Sequence, residues 1–375
     1  MQVPTRAIKP LTRLLLFVRA GGRCEFDGCN TYLLEHHLTL TEGNFAEIAH
    51  VVAFKPDGPR GHEGLRPADI NNLRNLMLLC PACHKLIDDH PYDFSRKALE
   101  EHKERHESRI RHVTALGPNQ GTSVLIFMAN IGNQTVSIPF DQITEATAPR
   151  YPLSKQGTLI DLTAVNDDPS FLLAATKTID QKIDRLYQTG SEALQAGHIS
   201  AFALGPIPLL MFLGSKLSNK VRVALFQRHR DTENWTWKKG GQPLQYAFRK
   251  LRTGNKKENV AIVLSISGAV AAGNLPKNID KRFSVYEIAP QNVTPSPTLL
   301  RTETDLDNFR VVYQQVVGTI LANHGLIDAI HLFPAIPAPI AVLCGRELLP
   351  KAHPGLLVYD YDKSKTGFIF QLRIN

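Results

Sequence analysis

Apolar side chains recur at helical spacing near the start of the chain, with Leu11, Leu14, Leu15 and Val18 on one face of residues 5–20. Gly21-Gly22 ends that pattern, so the spacing predicts an N-terminal helix packed behind the segment that follows. Residues 31–52 read as a β-hairpin, 44–64 are rich in Gly, Pro and His and in large part loop, and Ala82 to about Asp89 read as a short helix. Ser95 opens another helix to about Val113, where Glu100, Glu101, Glu104 and Glu107 interleave with Lys103, Arg105, Arg109 and Arg111. Charge on every side suits a solvated connecting helix better than one that reads DNA.

The pattern changes across residues 116–123, LGPNQGTS, a linker separating a first domain, 1–115, from a second, 124–375. Beyond it short β-rich apolar runs alternate with helices, which predicts an α/β domain. Strands are predicted at 124–129, 200–204, 221–226, 260–266, 283–288, 329–333, 356–359 and 368–372, and helices at 170–196, 209–217, 304–323 and 340–349. Two stretches repeat one another. PLLMFLGSKL at 208–217 and PIAVLCGREL at 339–348 each link two strands, with Pro, Gly and Leu at matching offsets and a Pro-rich turn before each. This internal repeat, around 200–226 and 329–360, reads as a duplication of a Rossmann-like half. Two such halves place their strand-to-helix turns around a shared crevice, where helix N-termini favour phosphate. Neither turn is a GxGxxG or Walker sequence, so a dinucleotide cofactor or ATP hydrolysis is not indicated, whereas a symmetric anionic ligand such as a cyclic nucleotide suits a duplicated site.

At 375 residues, 43% apolar and 21% charged, the composition is that of an ordinary globular protein with room for two or three domains. No signal peptide is evident, and the apolar run 14–18 is too short to span a membrane and is flanked by Arg13 and Arg19, so a cytoplasmic location is expected. Residues 1–115 hold 16 Lys and Arg against 15 Asp and Glu, so nearly all of the net +8 lies in the remainder. That excess suits either an anionic partner or a solvated surface.

The compartment decides how the cysteines read. Four of the five form close pairs, Cys24/Cys29 and Cys80/Cys83, with Gly28 where the first pair needs a tight turn. Two disulfides need an oxidising environment, whereas reduced thiols at this spacing fit a structural zinc held by four thiolates. Cys344 falls on the apolar face of a helix and reads as a small core residue. Between and after the pairs come His50 in AEIAHVV, Asn75, and His84 directly behind the second pair. This order resembles the HNH endonuclease family. The resemblance implies an α+β zinc-containing ββα-metal nuclease domain, with His50 as general base, Asn75 as positioning residue and His84 as ligand of a catalytic divalent metal, magnesium or manganese. Phosphodiester cleavage needs a base that titrates near neutrality and a cation for the charge on the transferred phosphate. Zinc closed by four thiolates supplies neither, so the second metal needs an open site of its own. Many HNH sites carry a metal-binding Asp or His just before the base. Here Ala49 stands there, and Glu47, His36, His37 or Asp88 are the candidates to replace it.

The run HLFPAIPAPIAVLCGRELLP, followed by LLVYD, resembles the SAVED domain, a pair of fused CARF-like sensor units. With the first domain, the whole chain is similar to the HNH–SAVED effector nucleases of CBASS anti-phage defence. That resemblance implies a nuclease silent until a cyclic di- or trinucleotide binds the sensor, promotes homo-oligomerisation (dimer to tetramer) and releases degradation of double-stranded DNA. For the ligand, Trp235 and Trp237 in NWTWKK offer aromatic faces beside Lys238, although a core tryptophan and an oligomer contact fit them equally. Ser265 and Ser267 end an apolar strand and offer hydroxyl and backbone donors, and His331 lies near a strand end, where it fits a ligand contact or buried structure equally. Two other readings share the same residues: a restriction-type HNH enzyme with a DNA-recognising second domain, for which no base-reading motif is present, and a catalytically inactive zinc-containing binding protein.

Overall fold

The computed structural model describes residues 7–62, 64–132, 134–164 and 171–375, so residues 5, 6 and 170 of the predicted helices lie outside it. The chain forms two units, one ending at Gly117 and the other beginning at Pro118.

In the first unit α1 (Pro10–Ala20) stops where Gly21 turns left-handed at φ 61°. Its buried residues are Leu16 and Ala20, while the predicted inner face points outward, with Leu11 66%, Leu14 59% and Val18 64% exposed. The helix is apolar on nearly every side, so its period does not single out one face and tertiary packing makes the choice. β1 (Glu47–His50) pairs antiparallel with β2 (Leu76–Leu79), and α2 (Pro81–Asp89) follows directly. The expected 31–52 hairpin is absent: among the described residues, 31–46 form only isolated bridges, Arg23 with Tyr32 and Glu35 with Glu42. β2 is apolar and buried along its whole length, and it takes its partner from a segment 25 residues or more away.

α3 (Arg96–Thr114) starts at Ser95, whose Oγ accepts from the Ala98 N–H at 3.3 Å, but it is no solvated connector. It buries Leu99, Lys103 and His106. Its charges grip the first cysteine pair's loop. Lys103 Nζ lies 3.5 Å from the buried Glu25 carboxylate, Arg105 pairs with Asp27, and His106 Nε2 donates to the Ala20 carbonyl at 2.9 Å. Glu25 also accepts from the Leu78 N–H at 2.6 Å, and burial pushes its carboxyl up to about 7.

The second unit contains two sheets. The first is built from β3 (Gly121–Met128), β4 (Tyr151–Pro152), β5 (Thr158–Asp161), β6 (His198–Leu204) and β7 (Arg222–Phe226), ordered β4-β3-β6-β7 with β5 also on β3, and its pairs are parallel. Its helices are α4 (Phe140–Thr147), α5 (Phe171–Leu186), α6 (Glu192–Ala196) and α7 (Ile207–Lys216). The second sheet has the order β13-β12-β11-β9-β10-β8, from β8 (Tyr246–Arg252), β9 (Val260–Ser265), β10 (Ser284–Pro290), β11 (Ala329–Ala335), β12 (Gly355–Asp362) and β13 (Gly367–Ile374), with antiparallel edges β8 and β13. α8 (Glu303–His324) and α9 (Ala338–Arg346) complete it.

All eight predicted strands are present. The predicted helix 170–196 is broken instead, because Gly190 takes φ 81° and Ser191 caps a new helix by accepting from the Leu194 N–H. α4, β4, β5 and β8 carry no strong pattern: β4 and β5 are short, and β8 is an edge strand with Arg249, Lys250 and Leu251 exposed. Among the described residues no helix is long and apolar enough to cross a membrane.

α7 and α9 meet at their glycines. A Cβ on Gly214 would lie 1.9 Å from the Val342 carbonyl oxygen, and one on Gly345 would lie 1.8 Å from that of Met211. In the repeat Met211 aligns with Val342 and Gly214 with Gly345, so the contact is reciprocal. Any side chain there pushes two helix backbones apart. Gly345→Val is expected to cost about 3 kcal/mol or more and to lower the melting temperature of this unit by roughly 5–10 °C in calorimetry. Gly318→Ala, in the middle of α8 with nothing within 4 Å of its added Cβ, should instead raise it slightly, because alanine is the better helix former by about 1 kcal/mol.

Candidate functional site

The first unit brings its four paired cysteines to one point. Every Sγ of Cys24, Cys29, Cys80 and Cys83 lies within 4.8 Å of the others, and Cys29 and Cys80 are 3.9 Å apart. That separation is far beyond the roughly 2 Å of a disulfide and suits the edges of a tetrahedron about a zinc ion. The loops are built to hold thiolates: Gly28 turns at φ 80°, the Cys80 N–H points at Cys24 Sγ, and the Cys83 N–H points at Cys80 Sγ, both at 3.4 Å. Burial pushes the Cys24 thiol up to about 12, with its neighbouring thiolates adding to the rise, and Cys83 is raised for the same reasons. At Cys29 burial is outweighed by hydrogen bonds from Thr31, leaving the thiol at about 7. A dication removes the mutual repulsion that four thiolates otherwise suffer, so the donor set fits zinc.

β1, β2 and α2 then present the His-Asn-His residues. Cys80 is the N-cap of α2, so the second cysteine pair and His84 share one helix start. His50 closes β1 opposite Leu76. Asn75 is buried and spends its carboxamide on backbone: it accepts from the Val52 N–H at 2.9 Å and donates to the carbonyls of Val52 and Ile70 at 3.0 and 2.9 Å. It therefore pins the chain leaving His50 to the chain entering β2. His84 is gripped by two carboxylates, Nδ1 by Glu47 at 2.7 Å and Nε2 by Asp88 at 3.5 Å. The Asp88 bond, opposed by burial and helped by Glu47, raises its imidazole above the usual value. Burial raises the Asp88 carboxyl, but bonds from His84 and Arg60 outweigh it and hold it low.

Ala49 is 1% exposed and faces the core, so the position before His50 cannot carry a ligand. Glu47, on the same face of β1 but at its open end, reaches His84, as does Asp88 one helical turn on. His36 and His37 lie tilted against each other with ring centroids 4.9 Å apart, and His36 is also against Phe45. Among the described residues only the four cysteines bring three or more ligand atoms within 4.8 Å, so Glu47, His84 and Asp88 do not close a cage. The carboxylate oxygen is a donor that magnesium or manganese takes together with waters, whereas the imidazole nitrogen suits the softer first-row metals better.

Sequence reasoning missed two residues here. Arg60 is buried and forks between the carbonyls of Val51 and Ile87, at 2.7 and 2.6 Å, and Asp88 at 3.0 Å, locking α2 to the loop after His50. Asn71 Oδ1 lies 2.9 Å from His50 Nε2, and its own Nδ2 donates to the Ala7 carbonyl at 3.5 Å. With the amide so oriented, Nε2 carries the proton and the lone pair is left on Nδ1. Neither residue lies in a motif; each acts through a contact distant along the chain. His50, His84 and Asp88 line one cavity of about 630 Å³, with Arg13 and Lys55 among the side chains around it.

The second-unit candidates separate. Trp235 is 1% exposed and packs edge-on against Phe202, so it belongs to the core. Trp237 is half-buried, its Nε1 donating to the Leu225 carbonyl at 3.2 Å, and Lys238 pairs with Asp231. Ser265 is buried, donates to Glu287 at 2.8 Å and accepts from the Val270 N–H. The Ser267 N–H donates to the Ala335 carbonyl at 2.7 Å, tying the end of β9 to the end of β11. His331 Nδ1 bonds the Tyr359 hydroxyl at 2.9 Å and its ring packs on Phe283. Trp237 and Lys238 therefore share a surface that Ser265 and His331 do not line.

The first unit thus joins a four-cysteine knuckle to a His-Asn-His arrangement on β1, β2 and α2, the layout of an HNH endonuclease domain, and the second is a two-sheet α/β unit. Residues 24–91 match the HNH endonuclease family, and residues 183–374 match SAVED, the SMODS-associated and fused to various effectors sensor domain. The chain belongs to the SAVED family. No curated protein matches it. Among solved structures it is similar to the Acinetobacter baumannii Cap4 SAVED/CARF-domain containing receptor with the cyclic trinucleotide 2′3′3′-cAAA, at 13% identity and a TM-score of 0.44, over 82% of this chain and 64% of that one. The same receptor with 3′3′3′-cAAA gives 11% and 0.45 over 82% and 65%, and the Moraxella osloensis receptor 12% and 0.39 over 75% and 61%. The chain thus spans less than two thirds of the length of these relatives.

Proposed function

We propose that the protein is a metal-dependent endonuclease of bacterial CBASS defence that cuts double-stranded DNA when a cyclic oligonucleotide binds its SAVED domain. The observation that carries the nuclease reading is the meeting of His50 and His84, from β1 and α2, at one cavity beside Asp88. His50 Nδ1 takes the proton from the attacking water. Asn75 holds the loop that carries His50 through its three backbone bonds, and Asn71 holds the ring. His84 with Glu47 or Asp88 holds the catalytic magnesium or manganese, which when bound offsets the charge on the transferred phosphate. The four cysteines hold a structural zinc.

For the sensor, the reciprocal Gly214 and Gly345 contact supports two fused CARF-like halves arising by duplication. Ligand acts only as far as it binds the active arrangement better, and assembly from dimer to tetramer in the cytoplasm is the arrangement proposed. The test is plasmid cleavage in magnesium with and without a panel of cyclic di- and trinucleotides, with His50→Ala as control. Cleavage that appears with one cyclic nucleotide and vanishes in the variant is the expected result. Constitutive cleavage would remove the sensor half, and none under any ligand would favour an inactive zinc-containing binding protein.

A further inference from the structure

We propose that a cavity on the first sheet of the second unit, on the side away from α7, holds the phosphodiester groups of the cyclic oligonucleotide, with Arg150, Arg222 and Lys239 at the phosphates and Trp237 beside a base; this rests on the sensor reading above. The cavity, about 530 Å³, is lined by the starts of β6 and β7, by Arg150 before β4, by residues 236–241 and by Thr302 to Thr304. That volume lies within the range of small-molecule sites. Four cations line it, Arg150, Arg222, Lys238 and Lys239, against one carboxylate, Glu303. Lys238 is engaged by Asp231. Among the described residues the side chains of Arg222 and Lys239 have no ion pair or hydrogen bond, and Arg150 has only long bonds, 3.4 Å each, to the carbonyls of Asn119 and Gly121.

Two further features point to an absent anionic partner. Among the described residues Thr236 Oγ1, buried and lining the cavity, has no hydrogen-bond partner, although buried hydroxyls are normally satisfied. His198, in the cavity wall with its Nδ1 bonded to Thr122, is pushed down to about 4 by burial first and then by Arg150 and Arg222, so both guanidiniums act on the same place. Like charges around one concavity concentrate anions, and guanidiniums match phosphate oxygens in pairs. Trp237, fixed through its Nε1, gives the site an aromatic wall. The alternative at the strand ends is weaker, because Ser265 and His331 already spend their polar atoms on Glu287, Val270 and Tyr359.

Equilibrium binding of labelled cyclic di- and trinucleotides of adenine and guanine to the full-length protein tests this. Both Arg222 and Lys239 are exposed and unpartnered, so Arg222→Ala and Lys239→Ala should melt as the wild type does. Each is expected to weaken binding about tenfold and the pair about a hundredfold, the loss of one and two charge-assisted contacts. If the wild type binds and the double variant binds within twofold of it, the cavity is not the site and the sensor reading stands. If the double variant binds cyclic nucleotide normally but loses DNA affinity, the cavity serves DNA and the proposal is overturned. Failure of the wild type to bind any of these ligands would remove the sensor reading and the site together.

Discussion

Plasmid cleavage by His50→Ala is expected to fall by roughly 10²–10⁴-fold, the contribution of one positioned general base, with no change in melting temperature. The side chain is half-buried at the end of a strand and lines the cavity, with a hydrogen bond to Asn71 and the edge of Phe54 at 6.0 Å, so its loss removes little packing. The neighbours separate chemistry from scaffold. Asn71→Ala releases the ring to either tautomer and should lower kcat by about tenfold with little change in KM for DNA, since it removes the neutral hydrogen bond that orients His50. The histidine ring ¹⁵N shifts report that change directly. Asn75→Ala should do more harm to the fold, because it strands a buried N–H and two carbonyls, at about 1–3 kcal/mol each. A His50→Ala enzyme that cuts at the wild-type rate would end the nuclease assignment made to this cavity.

Removal of zinc is expected to unfold the first unit and leave the second intact. Structural zinc contributes on the order of 10 kcal/mol to folding, comparable with the whole stability of a small domain. Here it has little to fall back on: one small core gathers Leu16 and Ala20 of α1, Cys24, the four residues of β2, Ile87 and Leu99 around the knuckles. Cys83→Ser, or a strong chelator, should therefore abolish the lower of two calorimetric transitions and cleavage with it. Metal analysis should return one zinc per chain. A Cys83→Ser protein with both transitions at wild-type temperatures would show that the four thiols are not a structural site.

Local chemistry was legible in the chain. Four cysteines at knuckle spacing, a histidine behind the second pair, the Ser95 cap and the short apolar runs of the second-unit strands all describe neighbours along the backbone, and each is found where its pattern lies. Three expectations of the first unit were not met: the inner face of α1, the 31–52 hairpin and the solvated α3. In each the deciding contact is remote. Leu16 and Ala20 are turned inward by the core around the knuckles, β1 is paired by β2, and Lys103, Arg105 and His106 of α3 are drawn to Glu25, Asp27 and Ala20.

The same division holds at the sites. Sequence alone determined which residue types are present and which lie together within one turn or knuckle: Cys24 with Cys29, and Cys80 with Cys83 and His84. Tertiary structure decided that Glu47 and Asp88 reach His84 while Ala49 faces the core, that Asn71 orients His50, and that Arg150, Arg222 and Lys239 gather beside Trp237. A backbone period ties residues a few positions apart and says nothing of those brought together by chain reversal and sheet pairing, where burial and charge choose the partners.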